Sequence, residues 1–177
     1  MTSPCHENGP VWNDGRVTRS AFYFYFPNTA VAVAELMGEV YASTLLAASE
    51  WFTGGVDHRR LDELRDGLQL TASRWRAKPG LMVAMLAAAG ADADVRNVWQ
   101  GWVQEFADRA ATRIARDLKS GVARPDIEAD AMAMTLVGAT FHTMEHDVRA
   151  MSAGDTPSSA SIDALVDVWT RSFYREP

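Results

Sequence analysis

The sequence predicts an all-α fold, and three observations carry that expectation. After Pro27 alanine is abundant and runs of β-branched residues are absent. Apolar residues recur at steps of three and four, the spacing of one helix face. Breakers then divide the stretch into five or six helical segments. Asn28 is placed to cap a long helix running to about Phe52, which Gly54 and Gly55 end. Asp57 opens the next, with Leu61, Leu64, Leu68 and Trp75 along one stripe, and Lys78-Pro79-Gly80 stops it. A short apolar helix from Leu81 to Ala89 follows, closed by Gly90. Asp92 or Asp94 starts another, in which Val95, Val98, Trp99, Trp102, Phe106, Ala110 and Ile114 form a stripe. Gln100, Gln104, Arg109, Arg113 and Arg116 are expected to face away, and Gly121 ends the helix. Pro125-Asp126 is expected to begin a helix reaching about Met151, and residues 152–157 form a loop. The last helix carries Ile162, Leu165, Val166, Trp169 and Phe173.

Composition limits what such a chain does. Its 177 residues make one domain or two small ones, with an ordinary 47% hydrophobic and 23% charged content. Lys and Arg total 17 against 23 Asp and Glu, a net charge of -6, which excludes a uniformly basic nucleic-acid coat. DNA binding would have to come from a local patch. The lone Cys5 excludes an intrachain disulfide and a cysteine zinc site, so a cytoplasmic location is expected. No apolar run approaches the ~20 residues of a membrane span, and the N-terminus lacks the basic start and apolar core of an export signal.

Catalytic signals are sparse. His142, Glu145 and His146 spell H-x-x-E-H on a helix, an order used by one class of zinc peptidases. That chemistry needs a further acidic ligand well downstream, and the chain after His146 is short. A polar patch or dimer-interface histidines account for the motif more simply. Gly54-Gly55 lacks a following Lys-Ser/Thr, and no nucleophile elbow occurs. Neither an enzyme nor a cofactor site is expected. Arg59-Arg60 with Asp62, Glu63, Arg65 and Asp66 reads as a solvated helix face with ion pairs at three- and four-residue spacing.

Six tryptophans are many for this length, and five of them lie on the expected helices. They fit either a packed core or an apolar pocket between helices, which periodicity alone does not separate. For the pocket, the candidate lining is Trp75, Met82, Met85, Trp99, Trp102, Phe106, Phe141 and Trp169, with Met132, Met134 and Met144 as adaptable neighbours.

The most specific segment is Arg16 to Ala30, RVTRSAFYFYFPNTA. It reads as a turn, Thr18 as a helix cap, a short aromatic helix over about 18–24, and Pro27-Asn28 opening the long helix. Val17, Thr18, Phe22, Tyr23, Tyr25, Phe26 and Pro27 match the recognition helix and its exit in the TetR family of bacterial repressors, which this order resembles. The closing VWTRSFY and the tryptophan-rich middle look like the subgroup containing EthR. The resemblance implies a dimeric regulator with an incomplete DNA-binding head over residues 1–27 and a helical ligand-binding and dimerisation domain over 28–177. It implies that Thr18, Arg19, Ser20, Tyr23 and Tyr25 contact operator DNA, with the two heads of a homodimer about one turn, ~34–36 Å, apart. It further implies an apolar small-molecule effector and a homodimer built by the two C-terminal helices, Pro125–Met151 and Ser161–Tyr174. Thr29 stands where the family has a phosphate-binding Lys, and Arg16 and Arg19 are balanced by Glu7 and Asp14. Residues 1–17 have the composition of turns where the family has two helices. The chain is therefore expected to bind operator weakly. The alternative expectation is a stand-alone ligand-binding and dimerisation module that has lost its head.

Overall fold

A computed structural model describes residues 29–55 and 59–174, and the described residues form six helices with no strand. The expected contacts Thr18, Arg19, Ser20, Tyr23 and Tyr25 lie outside this range, as do the caps expected at Asn28 and Asp57.

Helix α1, Thr29–Thr53, buries Met37, Thr44, Ala47 and Trp51, residues seven, three and four apart on one face. Helix α2, Arg60–Arg76, packs on it and buries Leu64, Leu68, Thr71, Ala72 and Trp75. The two come close at Gly67, where an added Cβ would sit 3.4 Å from the Ala47 carbonyl oxygen. Helix α3, Pro79–Ala91, is the expected short apolar segment extended at both ends, since Pro79 occupies its first turn. Asp92 both ends α3 and caps α4: its Oδ1 accepts from the Asp94 and Val95 amides at 2.8 and 3.1 Å. That resolves the choice between Asp92 and Asp94.

Helix α4, Ala93–Lys119, is the longest, and Gly121 ends it in the left-handed region at φ 76°. Helix α5 is Ala129–Ser152, so the start expected at Pro125-Asp126 is corrected. The carboxylate of Glu128 accepts from the Asp130 and Ala131 amides and sets the true boundary, while residues 125–126 form a turn. In that connection the Arg124 amide donates to the Phe173 carbonyl at 2.8 Å, and Ala123 pairs with Tyr174 in an isolated bridge. Helix α6, Ala160–Phe173, buries Ile162, Leu165, Val166, Trp169 and Phe173 against the body.

A second tie sits at the far end of α2. Arg76 pairs with the buried carboxylate of Asp147 on α5 and donates to the Ser158 carbonyl at 3.1 Å. Ser161 of α6 donates to the same carboxylate at 3.3 Å. One ion pair thus joins α2, α5 and the entry to α6. None of the described helices is long and apolar enough to cross a membrane.

Candidate functional site

Helices α1, α2, α4, α5 and α6 enclose a cavity of about 50 Å³. Helix α1 contributes Thr44, Ala48, Trp51 and Phe52; α2 contributes Leu64, Gly67, Leu68, Thr71 and Trp75. Phe106 comes from α4, Val137, Thr140, Phe141 and Met144 from α5, and Trp169 from α6. The wall is wholly apolar surface. Its rings meet mainly edge to face: Trp51 with Trp169 at 5.3 Å, Trp75 with Phe141 at 5.6 Å, Phe106 with Phe141 at 5.5 Å.

Of the residues the sequence nominates for a pocket, Trp75, Phe106, Phe141 and Trp169 stand on this wall. Trp99 and Trp102 lie beyond it. They border a smaller void of about 10 Å³ that shares Thr44, Trp75, Phe106 and Phe141 with the main cavity. Trp99 meets Phe141 at 5.4 Å and Trp102 stacks on Tyr41 at 5.0 Å. Met82 and Met85 are buried outside both linings, because α3 packs on the α4–α5 side of the body. Met144 reaches the wall, Met132 is half-buried and Met134 is exposed. Periodicity identified the apolar faces but not which of them converge. Thr44, Thr71 and Thr140 were missed because a threonine on an apolar stripe carries no signal distinct from its neighbours.

The three wall tryptophans direct their only polar group at a hydroxyl. Trp75 Nε1 donates to Thr44 Oγ1 at 3.4 Å, Trp169 Nε1 to Thr140 Oγ1 at 2.9 Å, and Trp51 Nε1 to Tyr174 Oη at 3.2 Å. Thr140 Oγ1 in turn donates to the Leu136 carbonyl at 2.8 Å.

Behind Trp51 lies a polar knot. Arg113 is expected on the outward face of α4 but is fully buried, which corrects that expectation. Its Nε donates to both oxygens of the equally buried Asp117, at 3.1 and 2.9 Å. Its remaining nitrogens donate to the carbonyls of Trp51, Gly54 (3.2 Å) and Gly55 (2.8 Å) at the end of α1. The cause is the carbonyl end of α1, whose orphan acceptors need donors and favour a cation. Arg116 donates to the Phe52 carbonyl at 3.2 Å, and Tyr174 donates to Asp117 at 2.8 Å. Burial, helped by the Asp117 charge, pushes the Tyr174 phenol well above its ordinary range. Tyr41, beside Glu105 on α4, is pushed up to about 12, again chiefly by burial.

His142 and His146 are exposed on α5, and Glu145 is held by Arg149 at 2.7 Å. Asp147 faces inward to Arg76. Among the described residues no group of three or more His, Cys, Asp or Glu side chains is gathered as a metal site. Arg109 lies on the surface, paired with Glu105 at 2.8 Å, and the Arg65–Asp62 pair is likewise exposed.

Comparison with known proteins bears on this architecture. The family model for the C-terminal domain of the transcriptional regulator EthR matches residues 64–175, which run from the start of the cavity wall on α2 past the end of α6. The HTH-type transcriptional regulator EthR of Mycobacterium tuberculosis H37Rv is 25% identical over 164 residues, spanning 90% of this chain and 74% of that protein. Its counterpart from Mycolicibacterium smegmatis is 22% identical over 161 residues, spanning 89% and 72%.

Proposed function

This chain belongs to the family of the EthR C-terminal domain and is a transcriptional regulator of TetR/EthR type; we propose that it answers to an apolar small molecule taken up by the cavity around Trp51, Trp75 and Trp169. One observation carries the reading: α1 is at once a wall of the cavity and the helix that follows the aromatic segment at residues 18–24 in the sequence.

The cavity as it stands is small. Its 50 Å³ compares with the roughly 150 Å³ that accepts benzene in an engineered protein core. An occupant must therefore displace wall side chains, and α1 supplies four of them. The carbonyl end of α1 is held by Arg113 and Arg116, so displacement is expressed toward Thr29. A shift of that end alters the position of whatever α1 carries, provided the ligand binds the two arrangements with different affinity.

In this proposal Thr18, Arg19, Ser20, Tyr23 and Tyr25 meet operator DNA, with residues 1–27 as the head and 28–177 as the sensing and pairing domain. The balanced charge of the segment supports weak binding, since little counterion release accompanies it. Helices α5 and α6 pair two copies, a role supported by their packing side by side with Met134 and Val168 turned outward. The proposed location is the cytoplasm.

Titration with iodobenzene tests the sensing role, because iodine quenches indole emission on contact. Saturable quenching at submillimolar concentration is expected. A linear rise matching that of free tryptophan would overturn the reading.

A further inference from the structure

The H-x-x-E-H motif on α5 takes no part in the cavity wall, and its geometry gives it a different use. His142 and His146 are both exposed and lie about one turn apart on the same face. His142 is two residues from the buried Thr140 and two from the buried Met144, which sets it about 200° round the helix from either. It therefore stands at the middle of the outward face. Gly138 and Met134, one and two turns earlier, are exposed on the same side. The neighbouring carboxylates are spent: Glu145 is paired with Arg149 at 2.7 Å, and Asp147 is turned inward to Arg76. Among the described residues neither imidazole has a hydrogen-bond or ion-pair partner.

Two imidazoles so spaced can chelate one transition-metal ion, since their Cβ atoms stand about 5–6 Å apart and each ring nitrogen reaches zinc at about 2.0–2.1 Å. Zinc in a closed site takes four ligands, and among the described residues no group of three or more ligating side chains is gathered. One chain supplies half a site. A two-fold axis supplies the other half, because in an isologous contact the same patch of each copy faces its counterpart.

From this we infer that His142 and His146 form half of a zinc site, which the same two histidines of a second copy complete as four imidazoles across an α5–α5 contact. The inference rests on the pairing of α5 and α6 proposed above and adds a ligand to it. Imidazole donors select zinc and its transition-metal neighbours over magnesium and calcium, which take oxygen ligands. The site is structural and not catalytic: four imidazoles leave no position for a reactive water, and Glu145 is held by Arg149. An ion bound by the paired form alone favours that form by one plus the ratio of free zinc to its dissociation constant. Pairing of the chain thereby responds to the metal as well as to protein concentration.

The test uses the full chain without an affinity tag, and zinc chloride as the probe. Calorimetric titration is expected to give one zinc per two chains. In sedimentation runs the dimer dissociation constant should fall ~10-fold when free zinc stands ~10-fold above its own dissociation constant, and EDTA should reverse the change. Cobalt in place of zinc should show the intense visible absorption of tetrahedral coordination. His142→Gln and His146→Gln lie on exposed positions and leave the fold intact, and each is expected to abolish the stoichiometric binding and the zinc effect on pairing. One zinc per chain with no effect on association would overturn the inference. So would binding that survives both substitutions, which would assign the ion to other residues such as Cys5 and His6. A dimer that takes up no zinc would sink the metal site and leave the pairing of α5 and α6 standing. A chain that stays monomeric with and without zinc would instead remove the pairing itself.

Discussion

The two ends of the α1–α4 contact differ in kind. At the carbonyl end of α1, Arg113, Asp117, Tyr174 and Trp51 form a knot in which a fully buried ion pair is saturated by hydrogen bonds. A turn or two earlier, around Thr44, Ala48 and Phe106, the same helices face an apolar void. Directional bonds of fixed length hold the first region in one geometry. Dispersion contacts among rings and a methionine permit several geometries in the second. The contrast teaches how one helix has both a fixed point and a deformable wall: polarity at one end, under-filled apolar packing further along.

The largest expected effect breaks the fixed end. Asp117→Ala leaves the Arg113 guanidinium buried without its counter-charge, and a loss of about 3–5 kcal/mol in unfolding free energy is expected by urea titration. Arg113→Ala should cost a similar amount, since it strands Asp117 and the α1 carbonyls together. Losses within 1 kcal/mol for both would show that the knot is not a fixed point.

A milder probe of the same region is Tyr174→Phe. It removes one donor to Asp117 and the acceptor of Trp51 Nε1, for which a cost of about 1–3 kcal/mol is expected. The variant also carries a pH signature. Both Tyr174 and Tyr41 have phenols raised in the folded state, so folding favours their neutral forms. That stability is complete below the ordinary tyrosine value near 10 and is lost as pH climbs through the folded values, about 12 for Tyr41. Thermal melts of the parent protein should therefore hold level to about pH 10 and fall above it. Tyr174→Phe should fall less steeply, retaining only the Tyr41 share. An unchanged alkaline slope would remove Tyr174 from the account.

The contrast between the two ends was only half legible in the sequence. Aromatic and aliphatic stripes on α2, α4 and α6 announced which faces turn inward, and Trp75, Phe106 and Trp169 followed from them. The knot did not follow, because Arg109, Arg113 and Arg116 read together as a solvated row. The missed signal was Asp117, which continues the register of Ala110 and Ile114. A carboxylate on an apolar stripe demands a buried cation, and Arg113, one turn back, is the nearest. The start of α5 was misread for a related reason. Pro125 satisfies the rule for a first helical turn, but Glu128 supplies the side-chain cap, and side-chain bonds decide the boundary. The convergence of Met144, Thr140 and Val137 on the cavity depended on how α5 is rotated, a tertiary fact that no local pattern encodes.

The smallest expected effect on stability is the most informative about the deformable wall. Ala48 stands on the cavity from α1, half-buried and beside Trp51 and Phe52 on the same wall. Ala48→Leu adds three carbons where space already exists, so burial gained and strain incurred oppose one another. The net change is expected within about 1 kcal/mol of zero. Iodobenzene binding should nevertheless fall by more than tenfold, because the added side chain occupies the space the probe needs. If instead the variant lost several kcal/mol while still binding the probe, the void would be rigidly packed and the occupant would have to enter elsewhere. That result would erase the distinction between a fixed end and a yielding one, since both ends of the contact would then resist change equally.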